Sequence, residues 1–174
     1  LLAFEQSFPR EVRLTGWAAR NGLAASTLFP AFDRNVGSPA DEELTTISYH
    51  GVFPRMSAAP YIKYRATHQG GTPLALYNAS DASLPMVMLS PLDWPKAQHM
   101  ATSEHVVGLG VKATAAVIPP GWSQASILTS GIGINNGFQR WGDRLLRHHA
   151  KPRADKYRDV THASIGFWTD NGGY

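Results

Sequence analysis

Leu74-Ala75-Leu76-Tyr77 and Pro85-Met86-Val87-Met88-Leu89-Ser90 are two short, almost wholly apolar runs, and Asn78-Ala79-Ser80-Asp81 stands between them. Runs this short read as strands, because a helix needs more length to bury a useful face. Asn, Ser and Asp bond their own backbone and favour turns, so the pair reads as a β-hairpin. The reading extends outward. Leu44-Thr45-Thr46-Ile47-Ser48-Tyr49 is rich in β-branched and aromatic residues. Tyr61-Ile62-Lys63-Tyr64-Arg65-Ala66-Thr67 alternates and ends in the turn cluster Gln69-Gly70-Gly71-Thr72-Pro73. Downstream, Val106–Val111, Ala115–Ile118 and Ala125–Thr129 are punctuated by Pro119-Pro120-Gly121-Trp122. Strands at this spacing, separated by Gly and Pro, predict a mainly β chain built as a sandwich over residues 1–134.

Composition agrees. The 174 residues include 16 glycines and 12 prolines, high for a helical bundle and ordinary for a turn-rich β fold. There is no cysteine, which excludes a disulfide scaffold, a thiol nucleophile and Cys-ligated zinc. A net charge of +3 is small for a nucleic-acid binder. Basic residues cluster once, at Arg140, Arg144, Arg147, Lys151, Arg153, Lys156 and Arg158, interleaved with Asp143, Asp155 and Asp159. Such a run reads as a solvated helix face and its following loop, with no DNA- or RNA-binding signature beside it. No apolar stretch reaches the ~18–20 residues of a membrane span.

After residue 134 the period changes. Phe138, Trp141, Gly142, Leu145, Leu146 and His149 recur as one face of an amphipathic helix. Asn135 or Asn136 is expected to cap it, Asp143 and Arg147 to pair one turn apart, and Pro152 to end it. Residues 135–162 thus read as a linking helix and a polar loop. Ala163-Ser164-Ile165-Gly166-Phe167-Trp168 follows, near-continuous and apolar, as a strand buried on both faces would be. A strand of that kind needs neighbours. With the Met-less start at Leu1, it makes a piece of a longer protein the expectation.

Candidate chemistry is sparse. His50, His68, His99, His105 and His162 lack metal-ligand spacing, and His148-His149 should diverge by about 100° on a helix, so neither a metal nor a cofactor is expected. Ser123 in Gly121-Trp122-Ser123-Gln124-Ala125 resembles a nucleophile elbow loosely, with Ala at the second Gly position. Gly131-Ile132-Gly133-Ile134-Asn135-Asn136-Gly137 lacks phosphate-loop spacing and reads as a strand-to-helix connector. Asn78-Ala79-Ser80 is the one N-glycosylation sequon, usable in a secreted protein. Five Trp residues are spread along the chain, as core anchors or as sugar-stacking surfaces.

Phe138–Arg147 followed by Ile165-Gly166-Phe167-Trp168-Thr169-Asp170-Asn171-Gly172-Gly173-Tyr174 resembles glycoside-hydrolase-like proteins distantly similar to α-galactosidases and raffinose synthases. The Thr72–Tyr77 and Val87–Leu92 stretches are similar to sandwich strands upstream of that region. The resemblance implies an N-terminal β-sandwich, a linking helix, and then residues 163–174 as the first strand of a (β/α)8 barrel whose remainder is not in this chain. It also implies a secreted or endomembrane carbohydrate-active protein, with sugar contacts from Asp170 and a wall from Trp168. The catalytic carboxylates of such barrels lie on later strands, so none is named here.

Two functions are thus expected. One is a fragment of a glycoside hydrolase or transglycosylase on α-linked sugars, itself inactive. The other is a non-enzymatic β module in a larger assembly, with the rest of its own polypeptide or another chain packing on 163–174. An esterase through Ser123 is a third.

Overall fold

The computed structural model describes residues 1–16, 20, 25–33, 44–50, 55–60, 73–81, 83–93, 98–102 and 106–166. The chain divides into two compact units, Leu1–Trp141 and Gly142–Tyr174.

The first unit is mainly β, and its sheets are antiparallel. The strands are β1 (Leu2–Phe8), β2 (Val12–Arg13), β3 (Ala31–Asp33), β4 (Leu44–His50), β5 (Arg55–Pro60), β6 (Leu74–Asn78), β7 (Pro85–Pro91), β8 (Gln98–Thr102), β9 (Val106–Val111), β10 (Val117–Ile118) and β11 (Trp122–Ile132). Six form one sheet in the order β1-β11-β7-β6-β4-β5, three form β3-β9-β8, and β10 pairs with β2. The expected hairpin is present: Leu74 faces Leu89, Ala75 faces Met88 and Leu76 faces Val87. The expected strand over 61–67 lies outside the described residues. β1 and the eleven-residue β11 complete the large sheet.

That sheet is covered on both faces, and the alternation along β6 and β7 shows how. Leu74 and Leu89 join Val107 and Leu109 of β9 in one buried cluster, with Phe32, Leu44, Leu76 and Leu128 around it. Ala75, Met86 and Met88 point the other way and join Ile47 in a second cluster, against which Tyr77, Phe138 and Trp141 pack. Neighbouring residues of one strand therefore feed two cores, which is why both runs are apolar throughout. Each fully buried Leu contributes roughly 1.5–3 kcal/mol.

Two close approaches fix the layers. Segment 25–33 runs beside β9, with Phe29 N–H donating to Leu109 O at 2.7 Å and Ser26 N–H to Val111 O at 2.8 Å. A Cβ on Gly108 would stand 2.5 Å from Pro30 O, and one on Gly110 would overlap the Thr27 carbonyl. On the opposite side, a Cβ on Gly131 would stand 2.7 Å from Gly137 Cα, and one on Gly137 would run into the Met86 thioether.

Helix α1 (Ile134–His148) begins directly after β11. Gly133 makes the turn at φ +73°. Asn136 does not cap the helix as expected. It lies in the first turn and its Oδ1 accepts from Ile132 N–H of β11 at 3.1 Å, bracing strand against helix. Phe138 and Trp141 are the part of the expected apolar face that reaches the sheet, with their rings edge to face at 6.2 Å.

The second unit holds the last turns of α1, a 3-10 helix at Arg153–Arg158 and α2 (Val160–Ala163). Helix α1 ends before Pro152 is reached. Ala150 has φ +51°, its N–H bonds Arg147 O at 3.2 Å, and Lys151 N–H bonds Leu146 O at 2.8 Å. This is a Schellman motif with alanine where glycine is usual. The Asp143 carboxylate meets Arg153 of the 3-10 helix rather than the expected Arg147. The loop expected over 151–162 is thus largely helical. The buried strand expected from 163 does not start there: Ala163 closes α2, and Ser164, Ile165 and Gly166 are exposed. Residues 167–174 lie outside the described residues.

Three glycine and alanine exchanges separate packing from propensity. Gly110→Ala is expected to destabilise the chain by about 1–3 kcal/mol, since the Thr27 backbone must move. Gly142→Ala meets nothing within 4 Å in the helix interior and is expected to stabilise by about 0.5–1 kcal/mol. Ala150→Gly relieves a left-handed alanine and is expected to gain about 1 kcal/mol. Urea midpoints read all three, and a stabilised Gly110→Ala would refute the close approach.

Candidate functional site

Of the residues expected to carry function, Trp168 and Asp170 lie outside the described residues, as do Trp17 and Trp94. Asn78 is described. It is the last residue of β6 and opens the loop to β7. Its Oδ1 accepts from Ser80 N–H at 2.7 Å and from Asp81 N–H at 3.1 Å. The sequon is therefore folded on itself as an Asx turn, which holds the asparagine side chain in one orientation. Asn78 is half-buried, while Ala79 and Ser80 are exposed.

The turn continues through a second side-chain oxygen, the carboxylate of Asp81. Asp81 Oδ1 accepts from the Ser83 hydroxyl at 2.6 Å and from Ser83 N–H at 2.9 Å, and Leu84 N–H closes onto Asp81 O at 3.2 Å. The Ser83 hydroxyl, and after it the Ser83 amide, hold the Asp81 carboxyl below its ordinary range.

Ser123 does not sit in an elbow. It lies within β11 opposite Ser7 of β1, exposed, in regular antiparallel pairing. A nucleophile elbow needs a strained strand-to-helix turn, so the esterase reading loses its geometry. The strand-to-helix turn of this chain is at Gly133, with Asn136 tied to Ile132, and it is a connector as expected.

The two histidines at the end of α1 come together rather than diverge. His148 is the last helical residue and His149 lies beyond it, so the 100° rule for helical neighbours does not hold across the boundary. Their rings meet edge to face at 4.8 Å. Both are exposed.

Sequence reasoning gave no notice of a polar strip inside the first unit. Gln6 and Gln124 face each other across β1 and β11. Gln124 Nε2 donates to Gln6 Oε1 at 2.7 Å, and the Thr27 hydroxyl donates to the same oxygen at 3.4 Å. Thr27 Oγ1 in turn accepts from Val111 N–H at 3.3 Å. The strip ties segment 25–33, β9 and β1 together. Aromatic rings flank it: Phe8 against Trp122 at 5.6 Å, and Phe4 against Phe29 and Phe32, each at 6.1 Å. Among the described residues, Gln124 Oε1, Thr129 Oγ1 and the Trp141 indole N–H are buried without a partner. The sequence signal for the strip is a glutamine between the two phenylalanines of β1 and another two residues after Trp122 in β11, legible only once the register is known.

The loop gives a direct test. In Ser83→Ala the Asp81 carboxyl loses the hydroxyl donor, and its titration midpoint is expected to rise toward the ordinary carboxylate value. The folded value is the lower one, so the loop's stabilisation is present above the unfolded value and fades as pH falls through the folded one. Side-chain carboxyl NMR follows both; an unchanged Asp81 midpoint in the variant refutes the bond.

No family model matches this chain, and no curated protein or solved structure shows significant similarity to it.

Proposed function

We propose that this chain is the N-terminal β-sandwich part of a carbohydrate-active protein, acting on α-linked sugars and continuing into a (β/α)8 barrel. What carries the reading is the Gly166-Phe167-Trp168-Thr169-Asp170-Asn171-Gly172-Gly173-Tyr174 stretch, which resembles the first barrel strand of the α-galactosidase and raffinose-synthase group. The order of elements supports it: antiparallel sheets, then a helix braced on the last strand, then the stretch itself. In this reading Asp170 accepts hydroxyl protons from a sugar and Trp168 offers an apolar ring to its face. The reaction belongs to carboxylates supplied outside these residues, by a two-carboxylate mechanism, so the chain alone is inactive.

The second reading is a non-enzymatic β module held in an assembly. The exposure of Ile165 weighs against it and supports the first reading, in which the rest of the polypeptide covers 163–174. Under the first reading the protein is secreted or endomembrane and Asn78 carries a glycan.

Two measurements test these statements. The coding sequence beyond Tyr174 is expected to alternate strands and helices and to bring two carboxylates to strand ends. A frame that stops, or continues without that alternation, removes the hydrolase reading and leaves the module. Expression in a secreting eukaryotic cell is expected to yield a glycosidase-sensitive mass shift that Asn78→Gln abolishes. A chain of unmodified mass from the culture medium contradicts the glycoprotein assignment.

A further inference from the structure

Strand β1 is an edge of the large sheet, with β11 on one side and, among the described residues, no strand on the other. In an antiparallel strand every second residue turns its N–H and C=O away from a given neighbour. Two bonds say which residues of β1 do so. Phe8 O accepts from Gly121 N–H at 2.8 Å, on the β11 side. Ala125, opposite Glu5, turns its carbonyl away from β1, to Leu92 N–H at 3.0 Å. Ala3, Glu5 and Ser7 therefore carry the outward groups, and all three are exposed.

The devices that usually blunt an edge are missing from this strand. β1 is seven residues long, matches β11 one to one without a bulge, and holds no Lys, Arg or Pro. Exposed apolar side chains accompany it. Leu2 is 56% exposed and Phe29 42%. The Phe29 ring meets that of Phe4, which shares a face of β1 with Leu2.

We infer that β1 pairs antiparallel with β1 of a second copy of this chain, extending the large sheet across a two-fold axis at Phe4. The strand's own sequence selects this occupant and register. Glu5 is its one charge. An axis at Glu5 would set two carboxylates directly opposite each other, which is destabilising. An axis at Gln6 would face Ala3 with Pro9, which has no N–H to give. An axis at Phe4 faces Ala3 with Glu5 and Leu2 with Gln6, so no like charges stand opposite. The outward groups of Ala3 and Glu5 then exchange ladder bonds with Glu5 and Ala3 of the second copy. Phe4 meets Phe4 at a non-hydrogen-bonded position, where facing side chains come closest. Leu2, Phe4 and Phe29 of both copies gather on that face. Such a contact is isologous, so each copy consumes its β1 edge and the assembly closes at two.

Sedimentation equilibrium of the 174-residue chain tests the inference, with a monomer–dimer equilibrium expected. Glu5→Pro removes an outward N–H that β11 does not use, so the strand keeps its place in its own sheet. It is expected to weaken the dimer at least about tenfold, through two symmetry-related ladder bonds, while the far-UV circular dichroism stays that of the parent. Position 3 faces Glu5 of the second copy. Ala3→Glu is therefore expected to weaken the dimer and Ala3→Lys to tighten it, each by about fivefold. A chain that stays monomeric to about 0.1 mM overturns the inference, and leaves the edge to a strand of another protein. So does a dimer that Glu5→Pro leaves intact, or that answers Ala3→Glu and Ala3→Lys alike. Oligomers that grow past two overturn it as well, because a closed pair has no further edge of this kind to offer. None of these outcomes involves Asp170 or Asn78, so the sugar reading is tested separately.

Discussion

Leu74 and Ala75 are adjacent in sequence and both are completely buried, in different cores. This is possible only where a sheet is covered on both faces, and the rest of the first unit follows from it. One cover is β9 with its neighbours, which supplies Val107 and Leu109. The other is the first half of α1, which supplies Phe138 and Trp141. Strip either cover away and a row of large apolar side chains on β6 and β7 meets water, at about 25 cal/mol for each Å² exposed. The large sheet is thus the shared wall of two cores.

Small residues make the double cover fit. Gly108 and Gly110 admit the backbone of segment 27–30, and Gly131 and Gly137 admit the approach of helix to sheet. The half-buried amide of Gln6 and the buried amide of Gln124 serve a different purpose. An unmatched amide is costly inside a protein, so a pair that must meet constrains the register of β1 on β11 more sharply than aromatic contacts alone.

Much of this fold is legible in the sequence. The hairpin over 74–90, the strands near 44–50 and 106–111, and the helical period through Phe138 and Trp141 are local signals, set by side-chain alternation and turn chemistry. Other features depend on partners far away in sequence. β1 is a strand because β11 offers it hydrogen bonds, and the glutamine strip exists because Gln6 and Gln124, 118 residues apart, face each other. The capping role expected for Asn136 failed for a related reason. Its side chain found a strand amide that sequence could not bring near. The apolar run at 163–166 misled because continuous hydrophobicity signals burial without saying by what, and here Ile165 stands open. Asn78 is a turn residue by its chemistry, and its hydrogen bonds tie the sequon into that turn.

The passage of segment 27–30 over β9 involves main chain on both sides. Gly108 and Gly110 present no side chain, and what approaches them is the carbonyl of Pro30 and of Thr27. Contacts of that kind ignore the identity of the residues that make them. A substitution at Leu28 that keeps the main-chain path leaves both carbonyl contacts in place, whereas an insertion or deletion between Ser26 and Ala31 displaces one of them. The constraint falls on the spacing between two carbonyls, one for each glycine, and so on a length of chain and not on a motif.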